Sequence, residues 1–113
     1  MTYNEIKTVL NSIDDPVLKL EALMDIGKTL PPIPDGQTGV EIKGCASRVE
    51  IFQDADGKLY GTADSALVRG IVRILLSMKE ERAPFDEFAK LGLNLGAARL
   101  NGAGAMIEYL GTL

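Results

Sequence analysis

The sequence predicts an α+β fold in which a small antiparallel sheet packs against several helices. Three observations carry that expectation: apolar residues at helical spacing toward both ends of the chain, a period-two stretch in its middle that turns at "DADG", and a long apolar helical pattern directly after it. Helices flanking one short hairpin leave no room for the repeated crossovers of a parallel sheet.

In "TYNEIKTVLNSI", the residues Tyr3, Ile6, Val9, Leu10 and Ile13 fall on one helical face and predict a short first helix. Asp14 and Asp15 then precede Pro16, a cap followed by a proline in the first turn, and Val17, Leu18, Leu20, Leu23, Met24, Ile26 and Leu30 carry the period onward. A second helix is expected from about residue 15 to about residue 29. "PPIPDG" ends it, because proline cannot donate a backbone hydrogen bond and pushes the residue before it into extended geometry. A loop to about Gly39 should follow.

Residues 40 to 43 read as a short extended piece. "SRVEIFQ" reads as a half-buried strand, with Val49 and Ile51 alternating against Arg48, Glu50 and Phe52. "DADG" turns the chain and "KLYGT" returns as the partner strand. From Asp64 and Ser65, both able to cap, "ALVRGIVRILLSMKEER" reads as the core helix. Arg69 and Arg73 are expected to point the same way along it, toward solvent or a partner. Pro84 opens a further short helix with Phe85, Phe88 and Leu91 on one side, and "MIEYLGTL" closes a last helix rich in small residues.

A chain of 113 residues forms one domain, residues 1–113, with a real core. Its net charge of -4 arises from 16 acidic and 12 basic residues mixed along the sequence, with no basic block to track a phosphate backbone, so nucleic acid is not an expected partner. The longest apolar run, "GIVRILL", is broken by Arg73 and falls far short of a membrane span, and "MTYNEIKTVL" lacks the apolar centre of a signal peptide. A cytoplasmic location without membrane attachment is the expectation.

With 1 cysteine and no histidine, the chain forms no internal disulfide and holds no structural zinc or iron-sulfur cluster unaided. No resident metal or cofactor is expected. The one thiol, Cys45, sits in "EIKGCASRVEIF", after a glycine and ahead of a strand. Two readings compete there. A free cysteine commonly serves as a small buried hydrophobe, whereas Gly44 permits a bend that presents a thiol at a loop. A nucleophilic role needs the thiolate, for which Lys43, Arg48 and Arg99 are candidate cations. Cysteine-protease and dithiol redox chemistries lack their histidine base or second thiol, which leaves attack on an activated sulfur, an exchange that needs no resident base.

Four blocks, in this order, resemble the SufE-type sulfur acceptor proteins that work beside cysteine desulfurases in iron-sulfur cluster assembly. "LMDIGKTLPPIPD" resembles the family's second helix and its "LG..LP" turn, and "GCASRVEI" its "GC.S.VW" active-site loop and strand. "GTADSALVRGIVRILL" is similar to the "DSDA.IVKGL" start of the central helix, and "LGLNLGAARLNGAGAMI" to the C-terminal "LGL...L...R.NGL..M" segment. Together they cover most of the chain.

The resemblance implies a SufE/IscU-like fold and a catalytic Cys45 that takes the terminal sulfur of a desulfurase persulfide and carries it to a scaffold. It implies a SufS-like cysteine desulfurase and a SufBCD-like iron-sulfur scaffold complex as partners, with the protein an accessory of the desulfurase and not itself an enzyme. A monomer or weak homodimer is expected. Asp64, at the head of the central helix, and Arg99 match family positions that support the loop or the partner contact; a helix cap and a plain surface residue are their respective alternatives. Ser47 matches the family serine. Gly44, Gly70 and Gly102 match family glycines, suited to a tight turn at the first and close helix packing at the others. Glu50 stands where the family has an aromatic residue, the histidine of the C-terminal block is absent, and the hairpin and C-terminus are short. A non-catalytic adaptor of a desulfurase is the alternative function, and an iron-sulfur scaffold would require ligands shared across a dimer.

Overall fold

Helix boundaries follow the local capping chemistry. The Thr2 hydroxyl accepts the Glu5 N–H at 3.1 Å while the Glu5 carboxylate accepts the Thr2 N–H at 3.0 Å, a reciprocal pair that starts α1, Tyr3–Asn11. One Asp15 carboxylate oxygen accepts from Val17 N–H and Leu18 N–H at 2.8 and 3.1 Å, which starts α2, Pro16–Gly27. The expected start at Asp15 is thus the cap itself. The structure is a computed structural model describing residues 1–113, and its class is the expected α+β.

Three strands, β1 (Val40–Glu41), β2 (Val49–Gln53) and β3 (Leu59–Ala63), form an antiparallel sheet in the order β1-β2-β3. Asp54 makes the β2–β3 turn by accepting the N–H groups of Asp56 and Lys58 at 2.9 Å each. Val49, Ile51 and Leu59 face inward and are buried under α3, Ala66–Glu80. Gly61 belongs to the same face, where a Cβ would lie 2.9 Å from Val72 Cγ1.

Two expectations about α3 need correction. Ser65, not Asp64, caps it, through a 3.4 Å bond from Val68 N–H to the Ser65 hydroxyl. Arg69 and Arg73 also do not share an environment: Arg69 is exposed, whereas Arg73 is 8% exposed and donates to Thr29 Oγ1 at 3.0 Å and to the Met1 carbonyl at 2.6 Å. Residues four apart differ by about 40° around a helix, and the N-terminal segment and the end of α2 cover the second arginine.

α2 and α3 cross with their backbones in contact. A Cβ on Gly70 would come 2.3 Å from the Leu23 carbonyl oxygen, and one on Gly27 would come 2.7 Å from Gly70 N. Residues Phe85–Leu91 form a 3-10 helix, where a repeat of three residues stacks Phe85, Phe88 and Leu91 on one side. The last element, α4 (Ala97–Leu110), buries Ala103, Met106 and Leu110 against the same continuous apolar cluster as the sheet and α3. No helix is long and apolar enough to cross a membrane.

Candidate functional site

Cys45 lies near the tip of the β1–β2 hairpin, in a loop of residues 43 to 48 that the Ile42 N–H to Val49 carbonyl bond closes at 2.9 Å. Gly44 bends the tip with φ of +92°, a conformation side chains resist, and a Cβ there would meet Ala105 Cβ of α4 at 3.4 Å. The loop therefore rests on α4. The Cys45 thiol donates to the Gly102 carbonyl at 3.5 Å. The loop packs directly on Gly102: a Cβ there would lie in ordinary contact with Cys45, 3.4 Å from Sγ and 3.6 Å from Cα. Its expected role in helix packing is corrected accordingly. Gly70 does serve helix packing, whereas Gly102 seats the cysteine loop.

Beside the thiol opens a cavity of about 380 Å³. Val68, Ile71, Leu95 and Met106 give it apolar walls, while Ser47, Ser65 and Arg99 bring polar groups to it. Three elements thus meet at Cys45: the hairpin loop, the first turns of α3, and the N-terminal half of α4. A larger groove of about 880 Å³, between α2 and the β3–α3 junction, includes Lys28 and Arg69 but no thiol.

The half-buried thiol is held in its neutral form. Burial pushes its pKa above the ordinary thiol value, and donation to a carbonyl oxygen is a bond only the protonated form can make. Two of the three candidate cations are engaged elsewhere. Lys43 Nζ lies 3.4 Å from Glu41, and Arg48 bonds Glu50 at 2.7 Å and reaches Glu41 at 3.8 Å. Arg99, exposed at the cavity, donates to the Leu95 carbonyl at 3.2 Å and pairs with no carboxylate. Gly96, at the N-cap of α4, provides no side-chain cap, and Gly96 to Arg99 line the same cavity.

Four of the five residues expected from the sequence come together in one place. Cys45, Gly44 and Ser47 belong to the loop, and Arg99 lines the cavity. Asp64 stands apart from the cavity and acts through its backbone: its N–H donates to the Arg48 carbonyl at 3.3 Å, anchoring the end of the loop. The Gly102 carbonyl, Val68, Ile71, Leu95 and Met106 join the site without a sequence expectation to announce them. Gly102 itself is marked in the sequence as a family-matching glycine inside a helical stretch, "RLNGAGA", but its carbonyl as the thiol's acceptor is not.

A hypothetical protein from Thermus thermophilus, solved in solution, superposes with a TM-score of 0.77 over 99% of this chain and 94% of its own. At 18% identity that likeness speaks for the fold alone. The family description that matches is "SufE: Fe-S metabolism associated domain", over residues 4–112. That span takes in the hairpin carrying Cys45, the helix that seats it and every wall of the cavity, and on it the chain belongs to the SufE family of Fe-S metabolism associated domains.

Proposed function

We propose that the protein, as a single domain over residues 1–113, is the sulfur acceptor of a cysteine desulfurase, with Cys45 as the accepting group. The observation that carries this reading is the placement of the only thiol on a hairpin loop beside an open, mainly apolar cavity, in a chain of the SufE family.

In the transfer, the Cys45 thiolate attacks the outer sulfur of the desulfurase persulfide. A new S–S bond forms to Cys45, the bond to the inner sulfur breaks, and the desulfurase cysteine leaves as a thiolate. The Cys45 proton passes to the partner or solvent. Sulfur changes carrier with no net oxidation, so no external oxidant is needed. The persulfide then passes its outer sulfur to a nucleophile of the iron-sulfur assembly machinery. The pyridoxal phosphate that releases sulfur from cysteine belongs to the desulfurase.

A neutral resting thiol suits a carrier that must not react before docking. On this reading the desulfurase surface draws the loop from its seat on α4, and solvent or a partner group takes the proton. Arg99 and Ser47, both at the cavity, contact the incoming partner, Gly44 supplies the bend, and the Asp64 N–H steadies the far leg of the loop. The reading places the protein in the cytoplasm, where a lone thiol stays reduced.

The same neutral thiol, with Lys43 and Arg48 both paired to carboxylates, is the observation favouring the second reading, a non-catalytic adaptor that docks on a desulfurase and regulates it. One experiment separates them. The protein is mixed with a SufS-like desulfurase and free cysteine, and the Cys45 peptide is examined by mass spectrometry. Sulfur acceptance predicts a gain of one sulfur atom on that peptide and loss of desulfurase stimulation in Cys45→Ser. An unmodified peptide beside an active, stimulated desulfurase would establish the adaptor instead.

A further inference from the structure

The cross-strand register sets two glutamates face to face at the mouth of the cysteine loop: Glu41 of β1 pairs directly with Glu50 of β2. Like charges directly opposite on a ladder repel, and β1 has only two residues with which to resist. Arg48 lies across the pair. Its Nη2 and Nε meet one Glu50 oxygen at 2.7 and 3.2 Å, and its Nη1 comes 3.8 Å from Glu41.

The two legs of the loop are therefore held by different means. The Arg48 main chain is fixed to β3 by the Asp64 N–H. The other leg, Glu41 to Lys43, belongs to the outermost strand, and past the Ile42 rung it depends on side chains. Lys43 turns back onto Glu41 at 3.4 Å, within the same leg, and so cannot tie it to β2. Among the ion pairs of this face, only Arg48–Glu41, at 3.8 Å, crosses between the two legs, while Arg48–Glu50 fixes the guanidinium on the β2 side.

We infer that Arg48 is a positioning residue for Cys45: it staples β1 to β2 across the two facing glutamates and so holds the thiol on its Gly102 seat. Glu50, which stands where the resemblance leads one to expect an aromatic ring, is the anchor of that staple. Loss of the staple leaves Glu50 unpaired opposite Glu41, which keeps only its in-leg partner Lys43; β1 then lifts, and Cys45 is exposed more often. The inference rests on Cys45 being the working thiol and does not depend on which protein donates sulfur to it.

The test is the rate of Cys45 alkylation by iodoacetamide in the isolated full-length protein at fixed pH. Arg48→Met should raise the rate about three- to ten-fold, the range expected when an exposed ion pair is lost and a like-charge repulsion is unmasked. Arg48→Lys should restore most of the protection. Adding Glu50→Gln to Arg48→Met should bring the rate back toward the parent value, because the repulsion is gone. Circular dichroism identifies any variant that fails to fold. Independently of folding, roughly 0.5 M salt should speed alkylation of the unaltered protein by screening the staple, and should not do so in the Glu41→Gln/Arg48→Met/Glu50→Gln variant. An unchanged rate in folded Arg48→Met overturns the inference, as does salt acting equally on both proteins. A failed persulfide transfer would leave the alkylation result standing, so the two readings fail separately.

Discussion

Gly70→Ala tests the backbone contact between α2 and α3, the contact that sets how closely α3 carries Ser65, Val68 and Ile71 to the cavity. The added methyl would lie 2.3 Å from the Leu23 carbonyl oxygen and 2.7 Å from both Cγ and Cδ1 of Leu23. The oxygen belongs to the backbone of α2 and cannot rotate aside, so the helices must separate by about 1 Å to reach ordinary contact. Overpacking of this kind costs roughly 1–3 kcal/mol. With a main-chain atom as the obstacle, the upper end applies, about 3 kcal/mol. Alanine returns about 1 kcal/mol of helix propensity, which leaves a net loss of about 2 kcal/mol.

Gly104→Ala is the internal control, because it is the same substitution inside α4, where nothing lies within 4 Å of the new methyl. It should gain about 0.5–1 kcal/mol. An unfolding entropy of about 2.1 cal/mol/K per residue makes 1 kcal/mol worth about 4 °C in a chain of this length. Thermal unfolding followed by circular dichroism should place Gly70→Ala about 8 °C below the parent and Gly104→Ala about 3 °C above it. If Gly70→Ala melts at or above the parent temperature, the helices do not cross backbone to backbone and the reasoning is wrong.

Burial raises the Cys45 pKa, so the pH profile of iodoacetamide alkylation should have its midpoint above the free-thiol value of about 8.5 and fall back to it in denaturant. The folded state prefers the neutral thiol; its contribution to stability is complete below the unfolded-state pKa and is lost as pH rises through the folded one. Cys45→Ala should show a flatter stability curve across that window, and a midpoint below about 8.5 in the folded protein would contradict a seated neutral thiol. Arg73→Met should lower stability by about 1–3 kcal/mol in urea unfolding, since the Met1 carbonyl loses a charged donor and Thr29 loses a partner. A change within about 0.5 kcal/mol would mean that desolvating the guanidinium cancels its hydrogen bonds.

What the sequence makes legible is local. Asp15 before Pro16, the alternation in "SRVEIFQ" and the Asp54 turn each act within a few residues, and each element forms where its own chemistry places it. Phe85, Phe88 and Leu91 are legible as one face, and their spacing of three suits a tighter helix than an α-turn. Arg73 departs from its expected exposure because period tells which residues share a direction and not what covers it. Its acceptors, Thr29 and Met1, are 44 and 72 residues away in sequence. The site divides the same way. Cys45, Gly44 and Ser47 are visible together, whereas pairing Arg48 with Glu41 needs the β1–β2 register, and the Gly102 carbonyl needs the docking of α4.

The distance from Cys45 to Gly102 along the chain, 57 residues, also orders events during synthesis. A ribosome releases the hairpin long before it releases the helix on which the hairpin will rest. Until α4 emerges and packs, the nascent protein carries an unseated thiol open to solvent, without the Gly102 carbonyl to hold it. Protection of the thiol is thus acquired late in synthesis, and a polypeptide truncated before residue 102 would retain the nucleophile without its restraint.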